Sequence, residues 1–254
     1  MMDKHVIETR GLTRQFSGFT AVNNVDLKIQ RHTIHALIGP NGAGKTTCFN
    51  LITKFLQPTA GTILFNGRDI TTTRPADVAQ LGLVRSFQIS ATFPKLTLLE
   101  NIQVALQRKY QLSRVFWRSQ RALEPLKERA LTLLDSVGLA GRATHIVADL
   151  PYGQKRALEI ATTLALDPEV LLLDEPTSGM GREDVSMTTA LIRRIADNRT
   201  VLMVEHNLGV VASLSDRITV LARGEILMEG PYATVASDAR VIEAYMGKGA
   251  GGHA

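Results

Sequence analysis

Cysteine is nearly absent from this chain, and the lone Cys48 excludes an internal disulfide and suits a reducing cytoplasm. Aromatic residues make up only 5% of the sequence, with no aromatic ladder interleaved among its basic residues, so a single-strand nucleic-acid platform is not expected. Long apolar runs are missing too. Val170-Leu171-Leu172-Leu173 and Leu131-Thr132-Leu133-Leu134 are far too short to span a bilayer. Met1-Met2-Asp3-Lys4-His5 has no apolar signal region behind its charges, which predicts a cytoplasmic protein. A large excess of one charge is also lacking, the net value being +5. The basic residues Arg108, Lys109, Arg114, Arg118 and Arg121 do cluster without an intervening acid, as a solvated helix face or as a patch near anionic headgroups or an acidic loop. No internal repeat is present, so there is one site's worth of motifs.

What is present is concentrated in Gly39-Pro40-Asn41-Gly42-Ala43-Gly44-Lys45-Thr46-Thr47, which fits the phosphate-binding pattern G-x-x-x-x-G-K-[ST]. His35-Ala36-Leu37-Ile38 before it reads as a buried strand, and Cys48-Phe49-Asn50-Leu51-Ile52 after it continues as a helix. Glycines let a backbone wrap closely around phosphate oxygens with its N–H groups pointing inward, and the helix start adds a favourable dipole. Lys45 is then placed to bridge the terminal phosphates, and the Thr46 hydroxyl to ligate Mg²⁺. Cys48 beside the loop reads as a packed helix residue, with a reactive thiol as the alternative.

Strand-like alternation marks Val6–Thr9, Val25–Ile29, Ile34–Ile38 and Gly61–Phe65, the last closed by an Asn66-Gly67 turn. Between roughly 95 and 140 the character is helical. Thr97 followed by Glu100 forms a capping-box signature, and a second amphipathic helix runs from Arg121 to Val137 before Gly138. Helix 154–166 then leads to strand 170–173, helix 183–196 to strand 200–204, and a hairpin turns at Arg223-Gly224. Such alternation predicts an α/β fold with a largely parallel sheet, and the glycine-rich end from Gly247 to Ala254 a flexible tail.

Val170–Leu173 is an apolar strand that ends in Asp174 and Glu175. A buried strand of this kind brings Asp174 to the carboxyl edge of the sheet, where open α/β folds bind ligands. There Asp174 can hold Mg²⁺, usually through water, opposite Thr46. Glu175 beyond it can act as general base toward an attacking water.

Asp149-Leu150-Pro151-Tyr152-Gly153-Gln154-Lys155-Arg156, read with these two elements, resembles the signature motif of ATP-binding cassette (ABC) proteins. The resemblance implies that Tyr152, Gly153 and Gln154 meet the γ-phosphate of ATP bound by a second subunit. Arg85-Ser86-Phe87-Gln88 is similar to the family's Q-loop, with Gln88 touching Mg²⁺ or its water and sensing a membrane partner. Val204-Glu205-His206-Asn207 matches its switch histidine, so His206 would contact the γ-phosphate and hold the attacking water. Phe16 sits where the family stacks an aromatic on adenine. These six elements follow the family's order across residues 5–247. The implied architecture is an ABC-type P-loop NTPase, with 1–90 and 155–247 forming a RecA-like parallel core with an antiparallel β-subdomain, 91–154 a helical subdomain, and 248–254 a tail.

Ala21-Val22-Asn23-Asn24-Val25, Tyr152-Gly153-Gln154 and Ile242-Glu243-Ala244-Tyr245-Met246-Gly247 further resemble the ATPase subunits of branched-chain amino acid importers. That likeness implies a second ATPase subunit, two transmembrane permeases, a solute-binding protein acting indirectly, and a place on the inner face of the membrane. Nucleic acid is not an expected partner. Importers of urea, amides or aromatic acids carry similar ATPases, and a non-transport cassette ATPase is the main rival. A GTPase is disfavoured, since no Asn-Lys-x-Asp guanine element occurs. Two positions depart from the family. Pro151 stands where the signature usually has serine, and Gly181 where the dimer-bridging loop has aspartate or asparagine, with Asp184 close behind. Proline supplies neither hydroxyl nor N–H, although Gly153 still provides an N–H, so the expectation is either a subfamily variant with weaker γ-phosphate contacts or a slower composite site.

Overall fold

A computed structural model describes residues 4–86, 92–109 and 124–246, with side chains from 126 in the last segment. Its central layer is a parallel sheet formed by β4 (Ile34–Ile38), β7 (Leu83–Arg85), β8 (Val170–Asp174), β9 (Thr200–Val204) and β10 (Arg217–Ala222). An antiparallel edge strand, β11 (Glu225–Gly230), completes the order β11-β10-β4-β9-β8-β7. Strands β4 and β9 are buried at every residue, as continuous apolar runs require when both faces of a sheet are covered.

Alternation along these strands sorts the core into two halves. Leu37, Leu172, Leu202 and Leu221 face one side, where they pack on Cys48, Phe49 and Ile52 of helix α1 (Lys45–Ile52). A second, antiparallel sheet covers that side. It comprises β1 (His5–Phe16), β2 (Phe19–Val25), β3 (Lys28–Gln30), β5 (Ala60–Phe65) and β6 (Arg68–Asp69), all joined directly or indirectly through β1. A short helix α2 (Pro75–Gln80) leads from it back into β7. Ala36, Ile38, Leu171, Leu173, Val201 and Met203 face the other side, against the remaining helices. These are α3 (Leu98–Lys109), α4 (Glu124–Ser136), α5 (Tyr152–Leu164), α6 (Arg182–Ala196) and α7 (Leu208–Leu214), with α8 (Tyr232–Ser237) and α9 (Ala239–Met246) following β11. The expected parallel core, antiparallel β-subdomain and helical segment are therefore all present.

Local chemistry accounts for several boundaries. The capping box is formed, since the Thr97 N–H donates to Glu100 Oε2 at 2.7 Å and the Glu100 N–H to Thr97 Oγ1 at 3.2 Å. Gly138, at φ 75, ends α4 while the Leu139 N–H donates to the Leu134 carbonyl at 2.7 Å. The strand expected over Val25–Ile29 is instead broken. Thr9 Oγ1 accepts from the Leu27 N–H and donates to the Val25 carbonyl, and this wedge divides the run between β2 and β3. Helix α5 begins at Tyr152 rather than 154, because Pro151 is already extended and serves as its N-cap. The start of the helix expected from Arg121, the residues Phe87, Gln88, Arg114 and Arg118, and the tail from Gly247 lie outside the described residues.

Candidate functional site

The phosphate-type loop leaves the buried end of β4 and turns into α1. Gly39 adopts φ 151, and a Cβ there would lie 2.1 Å from the Leu221 carbonyl oxygen. Gly44 adopts φ 98, where a Cβ would meet the Ala21 carbonyl at 2.4 Å. Both positions therefore need glycine for the backbone and for the close approach of β2 and β10. Within the loop Lys45 folds back, its Nζ donating to the carbonyls of Gly39 at 2.7 Å and Pro40 at 3.0 Å. Burial lowers the Lys45 pKa, and Glu175 opposes that shift. Thr46 is exposed and Thr47 half-buried at the first turn of α1, whose leading N–H groups have no partner further back in the helix. Asn41 and Gly42 are exposed at the loop's tip, while Ala43 is buried beneath it. Cys48 is fully buried, and burial pushes its thiol up to about 12, so it is a packing residue and not a reactive one.

Phe16 ends β1, pairs with Phe19 across the hairpin, and is 42% exposed. The Arg14 guanidinium covers one of its faces at 4.7 Å from the ring centroid. The hairpin continues to Ala21, whose carbonyl abuts Gly44, so the aromatic belongs to the strand pair that flanks the loop.

Asp174 closes β8 on the same sheet edge. Its Oδ2 accepts from the Arg85 guanidinium at 2.5 Å, and its backbone carbonyl accepts from Arg156 of α5 at 3.1 Å. Arg85 also donates to Asn50 Oδ1 at 2.7 Å and lies over the rings of Phe49 and Phe55. Sequence reasoning missed Arg85 and Arg156 as partners of Asp174, since each belongs to an element distant in the chain. Among the described residues no group of three His, Cys, Asp or Glu side chains could hold a metal. The oxygen donors at this edge are Asp174 and the Thr46 hydroxyl, which suit Mg²⁺ brought in on phosphates better than a protein-enclosed ion. Gln88, the third expected ligand, lies outside the described residues.

Glu175 follows with φ 44, a left-handed conformation rare for a residue with a side chain, and its N–H donates to the Val204 carbonyl at 2.9 Å. That turn throws the carboxylate toward the end of β9. His206, just past β9, brings Nδ1 to 3.9 Å from Glu175 Oε1. Both side chains are substantially open to solvent. Asn207 caps α7 by accepting from the Gly209 and Val210 N–H groups, which stops the chain from carrying His206 into the helix. The expected catalytic pair is thus brought together by adjacent parallel strands.

The signature segment lies apart, at the start of α5. Pro151 and Tyr152 are exposed, and the helix has no side-chain N-cap bond. The Tyr152 hydroxyl donates to the Ser178 carbonyl at 3.2 Å. A Cβ on Gly153 would lie 2.4 Å from Asp184 Oδ1, so that carboxylate is turned onto its own chain's signature glycine. Gln154 Oε1 is buried without a partner. A separate groove of about 590 Å³ is lined by Phe55, Ala79, Val84, Arg85, Arg108 and Lys109, among others, between β7 and α3. Lys109 on its wall pairs with Asp167 at 3.1 Å.

A family model described as ABC transporter matches residues 22–178, and one described as branched-chain amino acid ATP-binding cassette transporter matches residues 225–251. The chain is 37% identical to the high-affinity branched-chain amino acid transport ATP-binding protein LivG of Escherichia coli (strain K12), over 97% of this chain and 100% of the relative. It is likewise 37% identical to BraF of Pseudomonas aeruginosa, over 97% of this chain and 100% of the relative. A crystal structure of the ADP conformation of an ATP-binding cassette of an ABC transporter superposes with a TM-score of 0.84 at 26% identity, covering 97% of this chain and 100% of the other. A dimeric bacterial ABC transporter cassette gives 0.74 at 27% identity, covering 89% and 98%.

Proposed function

The chain belongs to the ABC transporter family of ATP-binding subunits, and on that premise we propose that it is the ATPase that energises import of branched-chain amino acids. The solute class rests on the likeness to LivG and BraF, which are branched-chain amino acid transport ATP-binding proteins, and on the C-terminal match. The chemistry rests chiefly on one arrangement: Lys45 beside the phosphate-type loop, Asp174 and Glu175 at the end of β8, and His206 at the end of β9, 3.9 Å from Glu175. In this reading the N–H groups of 39–47 and the Lys45 ammonium receive the β- and γ-phosphates of ATP, while Phe16 stacks on adenine through its uncovered face. Lys45 exchanges its two loop carbonyls for phosphate oxygens.

Thr46, Asp174 and Gln88 would hold Mg²⁺, which when bound neutralises phosphate charge and orients the terminal group. Glu175 takes a proton from water as its oxygen attacks the γ-phosphorus, the bond to the bridging oxygen breaks, and ADP and phosphate leave. His206 holds that water and the γ-phosphate. A second ATPase subunit supplies Tyr152, Gly153 and Gln154 across the site. Each of two permeases docks in the groove lined by Phe55 and Arg85 on one ATPase subunit, and a solute-binding protein delivers the amino acid from outside. Such an assembly places the chain on the cytoplasmic face of the membrane, and no described helix is long and apolar enough to cross it.

Glu175→Gln tests the assignment. Nucleotide binding should persist while ATP turnover in the assembled transporter falls by about a hundredfold or more, the scale of a lost general base. The variant should also hold a closed dimer on size-exclusion chromatography with ATP. Near-normal phosphate release would remove Glu175 from the role. Uptake assays with leucine, isoleucine and valine against urea and aromatic acids test the solute class.

A further inference from the structure

Glu205 stands between the last residue of β9 and His206, and its side chain is wholly inaccessible. The carboxylate nevertheless has donors on both sides. Oε1 accepts from the Thr177 N–H at 3.1 Å and from the Thr177 hydroxyl. Oε2 accepts from the N–H groups of His206 at 2.8 Å and Asn207 at 3.0 Å. His206 Nδ1 lies 3.9 Å from the same oxygen. Thr177, itself buried, follows Glu175 and Pro176 in the turn that ends β8.

We infer that Glu205 is a positioning residue, which holds His206 against Glu175 by fastening both of their turns to one buried carboxylate. The inference rests on the proposed roles of Glu175 and His206. A carboxylate without solvent is costly unless its oxygens are fully bonded, and here the hydrogen bonds run to two separate loops. The Glu175 turn is otherwise held on this side by its own N–H to Val204, in a left-handed conformation that needs support from its surroundings. Both Glu205 oxygens act as acceptors. Glutamine at 205 could satisfy only one loop, because its amide NH₂ would face the other loop's N–H donors. Glu205 and Thr177 are shielded from solvent, so they act through the turns they bind and not on the nucleotide.

The test uses the full chain assembled with its permeases, and reads turnover and nucleotide affinity separately. Glu205→Gln should lower kcat by about tenfold or more, the scale of a lost charge-assisted hydrogen bond, while KM for ATP and the Kd for a fluorescent ATP analogue stay within about twofold. Thr177→Val removes one donor to Oε1 and should lower kcat by about threefold. Thr177→Ser keeps that donor and should stay within about twofold of the parent. A kcat for Glu205→Gln within twofold of the parent overturns the inference, and so does a parallel loss of kcat and nucleotide affinity. If Glu205→Gln does not fold, an unchanged kcat in Thr177→Val overturns it. Should Glu175→Gln retain turnover, the role proposed for Glu175 fails first; should only Glu175→Gln lose turnover, the positioning role alone fails.

Discussion

The edge of the parallel sheet and the start of α5 are built on opposite plans. At the sheet edge, Lys45, Asp174, Glu175 and His206 follow strands that are buried almost throughout, and Lys45 and Asp174 are held by named partners, while the Glu175 and His206 side chains meet each other at 3.9 Å. Asp174 alone is gripped at its carboxylate by Arg85 and at its carbonyl by Arg156. At the start of α5, Pro151 and Tyr152 are exposed, the helix has no side-chain cap, and Gln154 Oε1 has no partner. A site that must bind ATP within its own subunit gains from preorganised dipoles and charges. A segment that meets a second subunit must leave its N–H groups uncommitted until that subunit arrives. Under the proposed function, this difference in order matches a chain that keeps one half of a composite site and offers the other.

Acid should break the sheet-edge plan first. His35 lies in β4 just upstream of the phosphate-type loop, bonded to Thr219 Oγ1 at 2.8 Å, and burial lowers its pKa to about 4. Glu229 opposes that shift and Arg217 adds to it. The unfolded chain takes up the proton below its ordinary value of 6.5 whereas the folded chain resists. The contribution is therefore complete above pH 6.5 and lost as pH falls toward 4, by about 3 kcal/mol at the lower end. Denaturant midpoints across this range should fall for the parent and fall less for His35→Leu. Equal slopes would show that His35 is not what makes β4 acid-sensitive.

At the helix start the expected effect is on turnover and not on folding. Gly153→Ala places a Cβ 2.4 Å from Asp184 Oδ1, but that carboxylate ends a short, partly exposed side chain that can turn away. The better helix propensity of alanine offsets part of the cost, so stability should stay within about 1 kcal/mol. If the proposed role of Gly153 holds, ATP turnover should nevertheless drop about tenfold, because the methyl group would crowd the N–H meant for a second subunit's phosphate. If Gly153→Ala combined with Asp184→Ala recovered full turnover, the glycine would be serving its own chain's packing, and the contrast between the two regions would weaken.

The sheet edge was legible because its motifs are contiguous and their chemistry is local. Gly39–Thr47 and Leu171–Glu175 carry their own strands, and apolar runs ending in polar groups mark where those strands emerge. The supporting groups were not legible. Arg85, Arg156 and Glu205 reach their partners on β8 and its turn only when β7, α5 and β9 converge there, and nothing in the spacing of a single chain announces that. The Val25–Ile29 run shows the same limit at the level of fold. Its alternation was correct, yet the hydroxyl that divides it belongs to Thr9 on another strand.

Pro151 offers the finest adjustment of the comparison. As N-cap it holds an extended φ of −57°, close to what the proline ring imposes, so the helix start is prearranged at no strain. What it lacks is a hydroxyl and an N–H at the point where a second subunit's γ-phosphate would arrive. Pro151→Ser restores both while adding conformational freedom to the unfolded chain, so stability should fall by a few tenths of a kcal/mol. Turnover in the assembled transporter should rise about threefold, less than a full charge-assisted bond because Gly153 already supplies a donor. An unchanged rate would mean that the exposed backbone of this helix start suffices by itself. A rise would place the limit on turnover in the half of the site this chain lends to its partner.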